Sequence, residues 1–245
     1  MDAPRTAPVR LSLLGGLAAR FDDQPLQLTL AAQRVLTVLA VQHRRSPATR
    51  SALAERLWPD APPDRAASNL RSTLWRMPRP RGRTLVVSSA TQVRLSDDVG
   101  VDLWDAEDLV RALCADGDPD ADRLDDLGLL DMDLLPTWQE DWLVVDQESH
   151  RQRRLHALER SSHALRERGR FNDALTAALG AVRCEPLRES AHRKVIEVHL
   201  VEGNQAAALR QYDTYRRMLA DELGLRPSPE IRRLVGPLLG RPVDH

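Results

Sequence analysis

Asp64-Arg-Ala-Ala-Ser-Asn-Leu-Arg-Ser-Thr-Leu-Trp-Arg-Met77 has the spacing of an amphipathic helix with an unusual outer face. On a 3.6-residue period Ala66, Ala67, Leu70, Leu74 and Met77 share one side. Arg65, Ser68, Ser72 and Arg76 share the other, with Asn69 and Trp75 at its borders. That outer face carries cations, hydroxyls and an amide but no acid. Arginine suits guanine edges or phosphate, asparagine suits adenine, and serine suits either. The helix therefore has the chemistry of one laid against DNA, while a solvated basic helix remains the simpler alternative. The expected base-reading residues are Arg65, Ser68, Asn69, Ser72 and Arg76, with Arg71 on phosphate.

Charge along the chain is uneven. The 245 residues carry a formal net charge of only −1. From Leu28 to Arg94, however, 12 arginines face Glu55, Asp60 and Asp64, a net of +9. From Asp105 to Glu148 the balance is −13, and from Ser149 onward it is +6. A basic block confined to one segment points to a polyanionic partner. The acidic block beside it reads as a solvated face, a lid on the basic segment or a protein contact. Like-charge repulsion would keep it off DNA phosphates. Lys194 is the one lysine among 35 basic residues. Cys114 and Cys184 lie in no paired motif, which predicts reduced thiols and a cytoplasmic protein. No apolar run approaches the ~20 residues of a membrane span, and the start, MDAPRTAPVR, lacks a signal-peptide core.

The flanking segments extend the pattern. Val9–Leu14, Leu17–Phe21 and Leu26–Leu30 predict a small antiparallel sheet, with a turn at Asp22-Asp23. Ala31–His43 and Arg50–Trp58 predict two helices, the second capped by Thr49. Pro63 suits the first turn of the third helix and Pro78 ends it. Leu85–Val87 and Val93–Leu95 predict a hairpin around Ser88–Thr91. Three helices and a hairpin make a winged helix, and the opening sheet is the variant of OmpR-type domains. Arg79, Arg81, Arg83 and the wing residue Arg94 are then expected on phosphate, with Thr91 and Gln92 entering a neighbouring minor groove.

Val101–Leu103 is expected to close a first domain of residues 1–104, and residues 105–245 read as helical. There Gly169-Arg-Phe-Asn-Asp-Ala174-Leu175 aligns with Gly203-Asn-Gln-Ala-Ala-Ala208-Leu209 at an offset of 34 residues. Glycine at the turn and alanine in the second helix at that period are the tetratricopeptide pattern, with Leu158 and His192 where tryptophan is preferred. The fold class is thus mainly α with a small β component: an N-terminal OmpR-type winged helix, then an all-helical TPR-like repeat domain.

These segments together resemble the SARP-type transcriptional activators, an OmpR-like winged helix joined to a bacterial transcriptional activation domain (BTAD). The carrying residues are Leu14-Gly15-Gly16, Gln33-Arg34-Val35-Leu36, Leu57-Trp58-Pro59-Asp60, Arg65-Ala-Ala-Ser-Asn-Leu-Arg71, Asp141-Trp142, Glu185-Pro-Leu-Arg-Glu189 and Glu222-Leu-Gly-Leu-Arg-Pro-Ser228. Met77-Pro-Arg-Pro-Arg81 departs from the pattern, since relatives have a longer helix end there. The resemblance implies an activator that binds direct repeats near promoters, as a dimer on DNA, and recruits RNA polymerase through contacts that include the σ factor. It also implies control of secondary-metabolite genes such as those of antibiotic biosynthesis, and a cytoplasmic protein that joins the nucleoid when bound. Residues 105–245 would be the BTAD and carry activation, so that a fragment ending near Leu103 keeps DNA binding. The basic residues Arg210, Arg216, Arg217, Arg232 and Arg233 suit a polymerase contact or a protomer interface. Large relatives carry a nucleotide-binding domain after the BTAD; this sequence has no GxxxxGK and resembles the short form.

Enzyme chemistry has little footing. HExxH, GxSxG and GxGxxG are absent. His156/His163 and His192/His199 are seven apart, about 10 Å along a helix, too far to share a metal. No cofactor, metal or membrane partner is expected. Asp125-Asp126 and Asp131/Asp133 lack the Gly and Glu of a calcium loop and read as a solvated face. Trp138 and Trp142, four apart, read as a core or docking stripe if helical, or as a partner anchor. Tyr212 and Tyr215 read as internal packing. The rival function is a helical-repeat adaptor that binds protein, with the winged helix as an accessory.

Overall fold

The computed structural model describes residues 8–239. Residues 1–7, where the signal-peptide reading mostly rests, and 240–245 lie outside it. The described chain is mainly helical with a small β part. Its packing divides it into two units, one holding residues up to Glu107 together with Met132–Glu148, the other Asp108–Asp131 and the chain from Ser149. A single boundary after Trp104 does not describe this partition.

The first unit opens with β1 (Val9–Ser12), β2 (Ala18–Phe21) and β3 (Gln24–Pro25). β1 and β2 pair antiparallel with Val9 opposite Phe21. The fourth strand is β7 (Val99–Val101), which pairs parallel with β1, Val9 opposite Val99. The expected strand over Leu26–Leu30 does not form. Thr29 Oγ1 instead accepts the Ala32 amide at 3.3 Å and caps α1 (Leu30–Gln42); the Leu26 amide still donates to Ala19 O of β2 at 2.8 Å, and Leu26 and Leu28 pack on the core.

Next come β4 (Ala48–Thr49), α2 (Arg50–Leu57) and α3 (Pro63–Arg76). The hairpin of β5 (Val86–Ser88) and β6 (Gln92–Leu95) follows. β4 adds to β6, with Ala48 opposite Val93, so the hairpin is the outer part of a three-stranded sheet. Val35, Leu36 and Leu39 of α1, Leu53 and Leu57 of α2 and Leu70 of α3 fill one core with Leu11, Leu13, Val93 and Val101.

α4 (Asp102–Leu113) begins directly after β7. The Asp102 carboxylate accepts the amides of Leu13 at 2.8 Å, Leu14 at 3.2 Å and Leu103 at 2.7 Å. Burial pushes this carboxyl above the usual aspartate range, and the three amides pull it back.

Past the end of α4, residues 114–143 of the acidic stretch are largely irregular, with only α5 (Ala121–Asp125) and one 3-10 turn at Leu127–Leu130, whereas the sequence predicts helix there. Part of it belongs to the first core. Leu134, Leu135 and Leu143 are buried there, and Trp138 and Trp142 pack on it from a non-helical segment. The Leu135 amide donates to Leu13 O at 2.9 Å, and Arg34 pairs with Glu140 at 2.8 Å. Gln42 Nε2 donates to Asp146 at 2.7 Å.

The second unit is built from most of α6 (Val144–Glu167), then α7 (Phe171–Cys184), α8 (Glu189–Val201), α9 (Gln205–Leu223) and α10 (Pro229–Val235). α6 and α8 end, and α7 and α9 begin, in register at the 34-residue offset. Both turns use a left-handed glycine, Gly169 at φ 72° and Gly203 at φ 74°. Ala174 and Ala208 are both fully buried, as are the paired positions Leu158 and His192. Among the described residues no helix is long and apolar enough to cross a membrane.

Candidate nucleic-acid interface

α3 is fixed at both ends by proline. Pro63 occupies its first turn, and Met77, extended at ψ 137° before Pro78, stops it. Asp64 lies in the first turn and Arg76 in the last, the arrangement the helix dipole favours. Ala66, Leu70, Thr73, Leu74 and Met77 are buried. Arg65, Ala67, Ser68, Arg71, Ser72, Trp75 and Arg76 are exposed, and Asn69 is half-buried.

The helix is therefore rotated from its expected phase. Ala67, which the helical period places inward, is exposed, and Thr73 is buried. The Thr73 hydroxyl donates to Asn69 O at 2.8 Å, which satisfies it inside the core. The centre of the outer face moves to Ser68, Ser72 and Trp75, with Arg71 beside them on one flank and Arg65 and Arg76 on the other. Asn69 turns partly toward the core. Trp75 moves from border to centre, and at 77% exposure it is the most solvent-facing large hydrophobic residue described.

The cations differ in what they touch. The side chains of Arg65, Arg71, Arg76 and Arg79 make no hydrogen bond or ion pair to any described residue. Arg81 pairs with Asp22 at 2.9 Å and lies 5.4 Å over the Phe21 ring. Arg83 pairs with Asp98 at 3.0 Å. Arg94 pairs with Asp97 through both terminal nitrogens, at 2.7 and 3.2 Å. Asp64 is the one acid between Pro63 and Arg83.

Thr91 and Gln92 are exposed at the hairpin turn. Their amides donate to Ser89 Oγ at 3.3 and 3.1 Å. The Arg50 amide donates to Thr91 O at 2.8 Å, and its guanidinium to Ser89 O at 3.3 Å. The start of α2 is thus tied to the hairpin turn, a link the sequence did not suggest. Among the described residues no group of three metal-ligating side chains gathers.

A family model described as the bacterial transcriptional activator domain matches residues 101–239, more than half of the chain. The chain belongs to that family. The SARP-type resemblance carried by the ordered motifs is upheld by the same match and by two relatives. This activator-domain protein is 28% identical to the regulatory protein AfsR of Streptomyces griseus, over 99% of the chain and 26% of the relative. It is 27% identical to AfsR of Streptomyces coelicolor, over 95% of the chain and 24% of the relative. The chain thus spans about a quarter of the length of the curated relatives it matches. A solved structure, Mycobacterium tuberculosis EmbR in complex with a low-affinity phosphopeptide, superposes with a TM-score of 0.69 at 22% identity. It covers 97% of this chain and 66% of EmbR, a likeness of fold. The family match begins at Val101, after α3 and the hairpin, so the chemistry of α3 rests on its own geometry.

Proposed function

We propose that this protein is a sequence-specific DNA-binding transcriptional regulator, an activator that reads promoter DNA through α3. One observation carries the reading: an outer helix face of unpaired arginines and hydroxyls, acid-free beyond its first turn. In this reading α1–α3 and the β5–β6 hairpin form an OmpR-type winged helix. Arg65, Ser68, Asn69, Ser72 and Arg76 face base edges from the major groove, with Asn69 reaching from the flank. Arg71 and Arg79 hold phosphate. Arg81, Arg83 and Arg94 join them by exchanging exposed acid partners, pairs worth only about 0–1 kcal/mol. Thr91 and Gln92, at the wing tip, enter a neighbouring minor groove.

The helical residues from about 105 onward serve as a TPR-like activation domain, since stacked helix pairs build extended protein-binding surfaces. Its partner is RNA polymerase, including the σ factor. One winged helix covers a short site, so two protomers on a direct repeat supply genomic specificity. Half-sites about 10–11 base pairs apart place both on one face of the duplex. The regulated genes are those of secondary metabolism, the protein being cytoplasmic and nucleoid-bound when active.

A mobility-shift titration of the intact chain against DNA from its own gene neighbourhood tests this. Arg76→Ala should cost about 1–3 kcal/mol of specific affinity, the worth of one good base contact. Unchanged affinity for a specific site would remove α3 from the interface.

A further inference from the structure

Trp75 is 77% exposed at the centre of the outer face of α3. The other four tryptophans, Trp58, Trp104, Trp138 and Trp142, pack against the first core. Ser68 and Trp75 are seven residues apart, two helical turns, and so lie on one line that Ser72 adjoins. That line points directly away from Leu70, Thr73 and Met77, the buried side of the helix. If α3 enters the major groove, the line meets the groove floor, where base edges are displayed. Arg71, one turn before Trp75, and Arg79 beyond the helix end then reach toward phosphate, while Arg76 beside the line stays with the base-reading set.

An indole at the groove floor offers a broad apolar face and one N–H. The apolar group that the major groove displays is the thymine 5-methyl; the rest of the floor is donors and acceptors. We propose that Trp75 is a specificity-determining residue that packs on a thymine methyl and makes the protein select thymine beneath the C-terminal half of α3. This rests on the DNA-binding reading above and adds an apolar contact to its polar set. Charge decides the occupant: the indole sits among arginines without ion-pair partners and no acid, which suits a polyanionic duplex.

The test uses the intact chain and a duplex it selects from a random library. Each thymine of that duplex is replaced singly by deoxyuridine, which removes only the methyl. In each half-site one thymine should respond, with affinity falling about tenfold, the scale of one good base contact. Trp75→Ala should lose about tenfold on the thymine duplex and be insensitive to methyl removal at that position. Its melting temperature and salt dependence should match the parent, because Trp75 supports no packing and bears no charge. Independent, multiplying losses from Trp75→Ala and methyl removal would overturn the proposal. So would a Trp75→Ala variant with parental affinity, as when the indole serves a protein partner instead. If the parent chain selects no duplex at all, the DNA-binding reading falls and this contact falls with it; the parent arm alone identifies that case.

Discussion

Arg79 and Arg94 carry the same charge in different surroundings. Arg94 is held by Asp97 and donates to Leu95 O at 3.0 Å, whereas the Arg79 side chain touches no described acid. A phosphate meeting Arg94 must displace a carboxylate; one meeting Arg79 displaces water. Arg79→Ala should therefore flatten the log–log salt dependence of DNA binding by about one unit. Arg94→Ala should flatten it by less than half as much, and equal slopes would show that the Asp97 pair is irrelevant. The limits of α3 were legible in the sequence because Pro63 and Pro78 act on the backbone locally. Its phase was not. Alanine fits a core or a surface equally well, so Ala67 carries no signal. Thr73 looks polar, and only its bond to the Asn69 carbonyl reveals that it can be buried.

At the scale of elements, the 34-residue offset was legible because both repeats must turn through a left-handed glycine. What those helices do with His192 was not legible. Its imidazole is buried between Pro186 O, 2.8 Å from Nε2, and Gln211 Nε2, 2.8 Å from Nδ1, and it stacks on Tyr215 at 4.5 Å between centroids. Burial holds His192 below the ordinary histidine range, against the pull of the Pro186 carbonyl. Burial and the neighbouring Glu189 push the Tyr215 hydroxyl up to about 12.

For His192 the unfolded chain binds the proton more readily, so stability increases with pH up to the ordinary histidine pKa near 6.5 and is lost as pH falls below it. The loss amounts to at most about 1.4 kcal/mol per pH unit. Both tyrosines lie in the second unit and all five tryptophans in the first. Near-ultraviolet tyrosine signals during denaturant melts from pH 7 to 5 should show this loss, and His192→Gln should remove it. An identical slope in the variant would assign the dependence elsewhere.

For the whole molecule, the acidic stretch is where sequence reading and structure part. Its charge was visible, but charge hid Leu134, Leu135, Trp138, Trp142 and Leu143, five apolar side chains spread through carboxylates with no helical or strand period. Long-range packing against Leu13 and Arg34 decides their fate, and no local pattern encodes that. A fragment ending near Leu103 would lack Leu134, Leu135 and Leu143 of its own core, which argues against its binding DNA alone. It should show no cooperative tryptophan-monitored melt and no footprint, whereas Leu143→Ala in the intact chain should cost about 2–5 kcal/mol. A stable, operator-binding fragment would show that Met132–Glu148 is dispensable.

In the proposed function the outer face of α3 lies in the major groove of promoter DNA. Dimethyl sulfate separates the grooves directly, methylating guanine N7 in the major groove and adenine N3 in the minor. With the intact chain on its operator, guanine N7 should be protected in two half-sites about 10–11 base pairs apart, and Arg76→Ala should restore reactivity at a guanine in each. Guanines as reactive as in free DNA, with protection absent or confined to adenine N3, would take α3 out of the major groove.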